Sequence, residues 1–311
     1  MQSVLNAVLP IFALIFVGYF CARRGVLAPS AVDHLNTFVV RLALPVVLFQ
    51  SMAQITWGEV DHPGFLAAFV GGMAATFVVS FALDRRKSHR LADKSIEGLG
   101  ASYPNTGFMG IPLCLAVFGE RGLPPAAISS FLIACVLFAG AIVLIEMDLQ
   151  QEKSLGRTLV KAARSLATNP LLVAPVIGLL CAALHVTLPI PILRFTTLLG
   201  AAASPCALVT IGLFLAQPAA SCEMSTVWRL VVLKLLFQPV VTGALAFCVF
   251  PMPPLWSHTA LLLSALPIGT GPFMLAKLYD REAAVTSRAI LFSTLISVVT
   301  ISALVAWNGR E

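Results

Sequence analysis

Two short segments combine helix-breaking residues with side chains that can hold a ligand. They are Tyr103-Pro104-Asn105-Thr106-Gly107-Phe108-Met109-Gly110-Ile111-Pro112 and Leu266-Pro267-Ile268-Gly269-Thr270-Gly271-Pro272-Phe273-Met274. Asn105 offers an amide, and Thr106 and Thr270 offer hydroxyls, all uncharged hydrogen-bonding groups. Proline lacks an N–H and clashes one turn back, and glycine tolerates unwinding. The spacing therefore predicts two helices split near 104–107 and 267–272, with Pro104, Gly110, Pro112, Pro267, Gly269 and Pro272 setting the breaks. Each split creates a new helix N-terminus carrying about +0.5 of an elementary charge on unspent N–H groups, which attracts an anion by ~0.3–1 kcal/mol. Two such ends, with Gly107 and Gly271 bringing their backbone close, would suit a carboxylate.

The elements that hold these segments must be membrane helices. Of 311 residues, 59% are hydrophobic and only 11% charged, and the mean hydropathy is +0.93. That leaves too little polar surface to coat a soluble globule. The apolar runs approach the ~20 residues a spanning helix needs, and no segment alternates as a barrel strand would. We read ten spans, near 3–21, 35–55, 63–83, 97–118, 124–145, 169–186, 194–216, 226–250, 256–278 and 284–307. The fold class is thus an all-α integral membrane protein with both termini on one side. Nothing basic precedes the run Val4 to Cys21, and Arg23-Arg24 follow it, the reverse of a cleaved signal, so it is expected to remain as the first span.

Loop charge fixes the expected orientation. Arg23, Arg24, Arg85, Arg86, Lys87, Arg90, Lys94, Lys153, Arg157, Lys161, Arg164, Arg229, Lys277, Arg281 and Arg288 fall on one face, against Arg121, Arg194 and Arg310 on the other. The basic face is cytoplasmic, placing both termini outside a bacterial inner membrane. This one-sidedness also accounts for the net charge of +6 without nucleic acid. The seven cysteines have neither CxxC pairs nor metal-ligand spacing and read as small core residues.

The hydrophilic connection 146–168 separates residues 1–145 from 169–311, five spans from five. Because five is odd, a second copy must sit upside down, giving two inverted five-helix repeats with the broken helices, the fourth and ninth, crossing. Pro10 answers Pro175, Ala43-Leu44-Pro45 answers Ala203-Ser204-Pro205, and Thr106-Gly107-Phe108-Met109 answers Thr270-Gly271-Pro272-Phe273-Met274. Pro45 and Pro205 are accordingly candidate hinges.

All 14 acidic residues fall in loops or at span ends. A carrier of cations would want a mid-membrane carboxylate, so this pattern favours an anion. Lys234, about two turns inside span eight and four residues before Gln238, either supplies a buried counter-charge or snorkels to the surface. Gln50, after the Pro45 kink, either lines the cavity or bonds a neighbouring helix. The candidate binding set is therefore Asn105, Thr106, Gly107, Thr270, Gly271, Gln50 and Lys234. No cofactor or metal is implied. Gly269-Thr270-Gly271-Pro272 lacks the aspartate of a membrane aspartyl protease, and neither HExxH nor a buried Ser-His pair occurs, so an enzyme is not expected.

Several stretches carry a resemblance: Leu9-Pro10, Gly18-Tyr19 and Arg23-Arg24-Gly25; Leu42-Ala43-Leu44-Pro45; Asn105 to Leu113; Leu233-Lys234-Leu235-Leu236 with Pro239; and Ala265-Leu266-Pro267 with Gly271-Pro272-Phe273-Met274. Over essentially its whole length the chain resembles the auxin efflux carrier family, in particular its bacterial carriers of malonate or related carboxylates. The resemblance implies two inverted five-helix repeats, a scaffold of spans one, two, six and seven, a transport bundle of the rest, and a homodimer. It also implies a secondary transporter moving a small organic anion such as malonate or malate by alternating access, with Pro104-Asn105 standing where plant members contact substrate. Ile268-Gly269 depart from the pattern, occupying the place of a second asparagine. The rival expectation is a sodium-coupled symporter of another organic anion, such as a bile-acid-like substrate.

Overall fold

The computed structural model describes residues 2–28, 30–54, 62–84, 90–149, 167–168, 170–217 and 222–308. Among the described residues the chain is all-helical, and six helical stretches are long and apolar enough to cross a membrane: Ala31–Gln50, Pro63–Leu83, Thr106–Leu149, Ile190–Leu215, Met224–Val249 and Ala284–Trp307. The expected connection 146–168 lies mostly outside the described residues. So do Arg85, Arg86, Lys87, Lys153, Arg157, Lys161, Arg164 and Arg310.

We label the helices that position the site α1 (Gln2–Arg23), α2 (Leu44–Ala53), α3 (Pro63–Leu83), α4 (Leu91–Ser102), α5 (Ile111–Phe118), α6 (Leu123–Leu132), α7 (Ala139–Leu149), α8 (Pro170–Ala183), α9 (Ile190–Ala201), α10 (Ala203–Leu215), α11 (Met224–Val232), α12 (Gln238–Ala244), α13 (Pro254–Ser264), α14 (Gly271–Leu278) and α15 (Ala284–Asn308). Most of the buried hydrophobic side chains form one continuous core, from Val8 and Ile15 of α1 through Leu44, Met109 and Leu113 to Leu266, Ile290 and Val305.

Proline shapes this fold by widening helices as well as by breaking them. The π-helical turns Val39–Ala43, Thr106–Gly110 and Leu233–Phe237 each end two residues before a proline, namely Pro45, Pro112 and Pro239. A proline ring collides with the carbonyl four residues back, and an extra residue in the preceding turn moves that carbonyl aside while the chain stays helical. Pro45 therefore widens its helix, and Pro205 sits in the first turn of α10, which restarts after a turn at Ala202.

One end of the bundle is knitted by ionic contacts. Arg281 grips Asp93 through Nε at 2.8 Å and a terminal nitrogen at 2.5 Å. Arg229 contacts Glu97 and lies 3.9 Å from Asp84, and the Asp148 carboxylate accepts the Ala92 N–H at 3.2 Å, completing the start of α4. Tyr279 donates to Glu146 at 2.8 Å. Burial, and then that carboxylate, push the Tyr279 phenol up from its ordinary value. The bidentate hydrogen bond to Asp93 raises the Arg281 guanidinium. These pairs join the ends of α3, α4, α7, α11 and α14 into one unit.

Candidate functional site

α4 stops at Ser102 and helix resumes at Thr106, while α13 stops at Ser264 and helix resumes at Gly271. The two interruptions meet. Asn105 N–H donates to Pro267 C=O at 2.9 Å, and Gly269 N–H donates to Tyr103 C=O at 3.0 Å, flanking an antiparallel bridge between Pro104 and Ile268. The Ile268 N–H donates to Ser293 Oγ at 3.1 Å. In this way backbone groups released by the breaks deep in an apolar body find partners in each other and in α15.

Asn105 sits at the centre of an inverse γ-turn. Its φ of −78° and ψ of 61° allow Thr106 N–H to reach Pro104 C=O at 2.9 Å. Its own carbonyl accepts from Met109 at 3.2 Å and Gly110 at 2.9 Å, the first bonds of the resumed helix. The Asn105 side chain makes no cap on that helix. The amides of Gly107 and Phe108 precede those first bonds, as those of Gly271 and Phe273 precede the Met274 N–H bond to Thr270 C=O at 3.0 Å.

A cavity of about 150 Å³ opens at this junction. Its polar lining is Tyr103, Asn105, Thr106, Ser130 and Thr270 with the Gly107 and Gly271 backbone, and its apolar lining is Val40, Leu44, Leu48, Phe108, Ile133, Phe138 and Met274. Asn105 and Thr106 are buried, and Ser130 Oγ lies 3.1 Å from Thr106 Oγ1, with Ala126 C=O 3.0 Å away as a second acceptor. Among the described residues, no charged side chain lines this cavity. A larger groove of about 430 Å³ between Val70–Val78 and Val136–Leu144 is lined, among the described residues, by apolar side chains and glycine. Among the described residues, no cluster of metal-ligating side chains forms.

The profile of the membrane transport protein family matches residues 3–305. The chain belongs to this family, that of the auxin efflux carriers. Over 305 residues, this membrane transport protein is 30% identical to a Rhizobium meliloti protein named "Putative malonate transporter", covering 98% of this chain and 95% of the relative. It is 23% identical to auxin efflux carrier component 8 of Arabidopsis thaliana, covering 96% and 95% of the two chains. An uncharacterized transporter of Methanocaldococcus jannaschii is 24% identical, with 97% and 98% covered. The protein is thus a multi-pass membrane transporter.

Of the residues singled out by sequence, Asn105, Thr106, Gly107, Thr270 and Gly271 come together on this transporter's cavity. Gln50 does not. It lines a separate space of about 550 Å³ with Gln54, Arg121 and Thr197, and its amide nitrogen lies 3.3 Å from Thr197 Oγ1. Lys234 is wholly buried and donates to Ser264 C=O at 2.6 Å, so it neither lines the cavity nor snorkels to a surface. Tyr103, Ser130 and Ser293 were missed as site residues. Tyr103 lay within the first helix-breaking segment, but Ser130, next to Ser129, and Ser293, next to Thr294, sit in helical runs with no breaker or motif to single them out.

Tyr103 also explains two glycines of the second break. A Cβ on Gly271 would stand 2.6 Å from Tyr103 Cζ, and one on Gly269 would stand 2.8 Å from Tyr103 Cε1. Gly271→Ala should therefore lower the melting temperature of the purified transporter, the overpacking costing about 1–3 kcal/mol. Adding Tyr103→Leu in the same chain should recover part of the loss. A double variant no more stable than Gly271→Ala would show that the ring is not the obstacle.

Proposed function

We propose that this protein is a secondary carrier of a small organic anion, with malonate, malate or a related dicarboxylate as the substrate class. The single observation that carries the reading is the meeting of the two interrupted helices. Their reciprocal Asn105–Pro267 and Gly269–Tyr103 hydrogen bonds bring the starts of both resumed helices to one small cavity, largely apolar with a cluster of polar groups, which supports binding by their first amides. Broken helices paired in this way suit a carboxylate on their N-terminal ends. The malonate name of the rhizobial relative points to the same chemistry.

The same bonds support an inverted repeat. The bridge pairs Pro104 with Ile268, an offset of 164, and the same offset relates Thr106-Gly107 to Thr270-Gly271 in the sequence. The packing of α1 on α10 and of α2 on α8 supports it further, since exchanging the first and sixth spans, and the second and seventh, turns one pair into the other. On this reading ten helices span the bacterial inner membrane, with residues 1–145 and 169–311 as inverted units joined by the cytoplasmic segment 146–168. Both termini lie on the non-cytoplasmic side. The α1–α10 and α2–α8 pairs form the frame, against which the crossing bundle moves to open the cavity to each side in turn, and two copies associate as a homodimer.

Cavity size favours this reading over a sodium-coupled carrier of a bile-acid-like anion. Sites that enclose drug-sized ligands run to ~300–1,000 Å³, whereas this one is about 150 Å³. It fits a few-carbon acid. Purified protein in liposomes is expected to take up labelled malonate saturably, with malate competing. The same acids should raise its melting temperature, because a ligand preferring the folded state stabilises it. Failure of every mono- and dicarboxylate tried in both assays would overturn the reading.

A further inference from the structure

A single helix holds the ends of both half-helices that stop at the crossing. Lys234 Nζ donates to the carbonyl of Ser264, the last residue of α13, at 2.6 Å. One turn further along, Gln238 Nε2 donates to the carbonyl of Ser102, the last residue of α4, at 3.1 Å. Lys234, Gln238 and, one more turn on, Thr242 are all fully buried.

Each helix C-terminus carries about −0.5 of an elementary charge on its unspent carbonyls, so two of them amount to about one negative charge. Lys234 meets the α13 end directly, and the α4 end is met by the neutral Gln238 amide. One turn from Lys234 a further oxygen acceptor, Gln238 Oε1, is buried without a hydrogen-bond partner among the described residues. Half-helix C-termini with carbonyl and hydroxyl oxygens are the surroundings in which carriers of broken-helix design hold a coupling cation. We propose that the Lys234 ammonium is a tethered cation occupying the place of a coupling sodium ion beneath the crossing, so that anion transport proceeds without sodium.

This inference deepens the carrier reading and rests on it, and its test includes an arm that needs no substrate. Lys234→Ala should leave an oxygen-lined space that takes a free cation. The melting temperature of the purified variant is compared in choline chloride, sodium chloride and methylammonium chloride at equal ionic strength. Sodium or methylammonium should raise it by several degrees over choline, while the wild type and Lys234→Met, whose side chain fills the space, respond alike in all three salts. A purely structural lysine would give no such selective rescue. In liposomes, wild-type malonate uptake should be unchanged when choline replaces sodium.

The proposal is overturned if Lys234→Ala gains no more from sodium or methylammonium than the wild type does. It is equally overturned if wild-type uptake falls more than about ten-fold without sodium. Should Lys234→Ala fail to fold in every salt, the wild-type uptake comparison decides. Should no carboxylate be transported at all, the carrier reading falls while the melting comparison still judges the cation site.

Discussion

Asn105→Ala is expected to reduce malonate uptake by about 10- to 100-fold while leaving the protein folded. The backbone of Asn105 does the structural work at the break, donating to Pro267 and accepting from Met109 and Gly110, and alanine retains all of that. Its φ of −78° and ψ of 61° lie in the inverse γ-turn region, open to any L-residue, and its side chain caps nothing. What alanine removes is the amide facing the cavity. A hydrogen bond to a charged group contributes about 1.5–3 kcal/mol, and each ~1.4 kcal/mol is a factor of ten. Initial uptake rates, with the melting temperature as the control for folding, make the test. Asn105→Asp should be worse, since a buried carboxylate would oppose the anion. Wild-type rates in Asn105→Ala would remove this residue from the binding site and leave the anion to the helix-start amides alone.

The breaks themselves were legible because they depend on what a residue lacks. Pro104, Pro267 and Pro272 cannot donate, and Gly107 and Gly271 do not resist unwinding, so the sequence marks where helical hydrogen bonding must fail. It does not mark where the released groups go. The pairing of Asn105 with Pro267, of Gly269 with Tyr103 and of Ile268 with Ser293 joins positions far apart in the chain, and local pattern says nothing about such partners. The same reason hid Lys234. Its buried charge was visible as an anomaly in an apolar run, but the carbonyl it satisfies, Ser264, lies in another helix. Gln50 was ambiguous between cavity and helix contact for want of knowing that Thr197 stands opposite. Ser130, one of two adjacent serines in a helical run, gave no reason to be chosen over Ser129 or the other buried serines.

Gly212→Leu should prove the most damaging single change to folding, because there two backbones touch. A Cβ on Gly212 would strike Ile15 C=O, and would lie 2.6 Å from Tyr19 N and 2.9 Å from Gly18 Cα. None of these is a side chain that can swing aside, so α1 and α10 would have to separate. Close backbone approach through small residues is how helices associate in lipid, where apolar burial offers little drive. Forcing them apart is expected to cost about 3 kcal/mol or more, read as a large fall in melting temperature and in the monodisperse fraction after purification. Gly140→Leu is the control, since nothing lies within 4 Å of its added Cβ, and it should behave as wild type. The companion contact is Gly178 of α8, whose Cβ would meet Phe49 C=O of α2 and stand 3.0 Å from Ala53 N. If the two helix pairs are equivalent halves of one frame, Gly178→Leu must cost about as much as Gly212→Leu. Whatever protein survives in either case should transport with an unaltered KM, because the frame sets how many molecules fold and the crossing sets how they bind. A Gly212→Leu variant that melts like the wild type would mean that α1 and α10 do not bear on each other in the membrane, and the frame proposed for this carrier would have to be drawn from other helices.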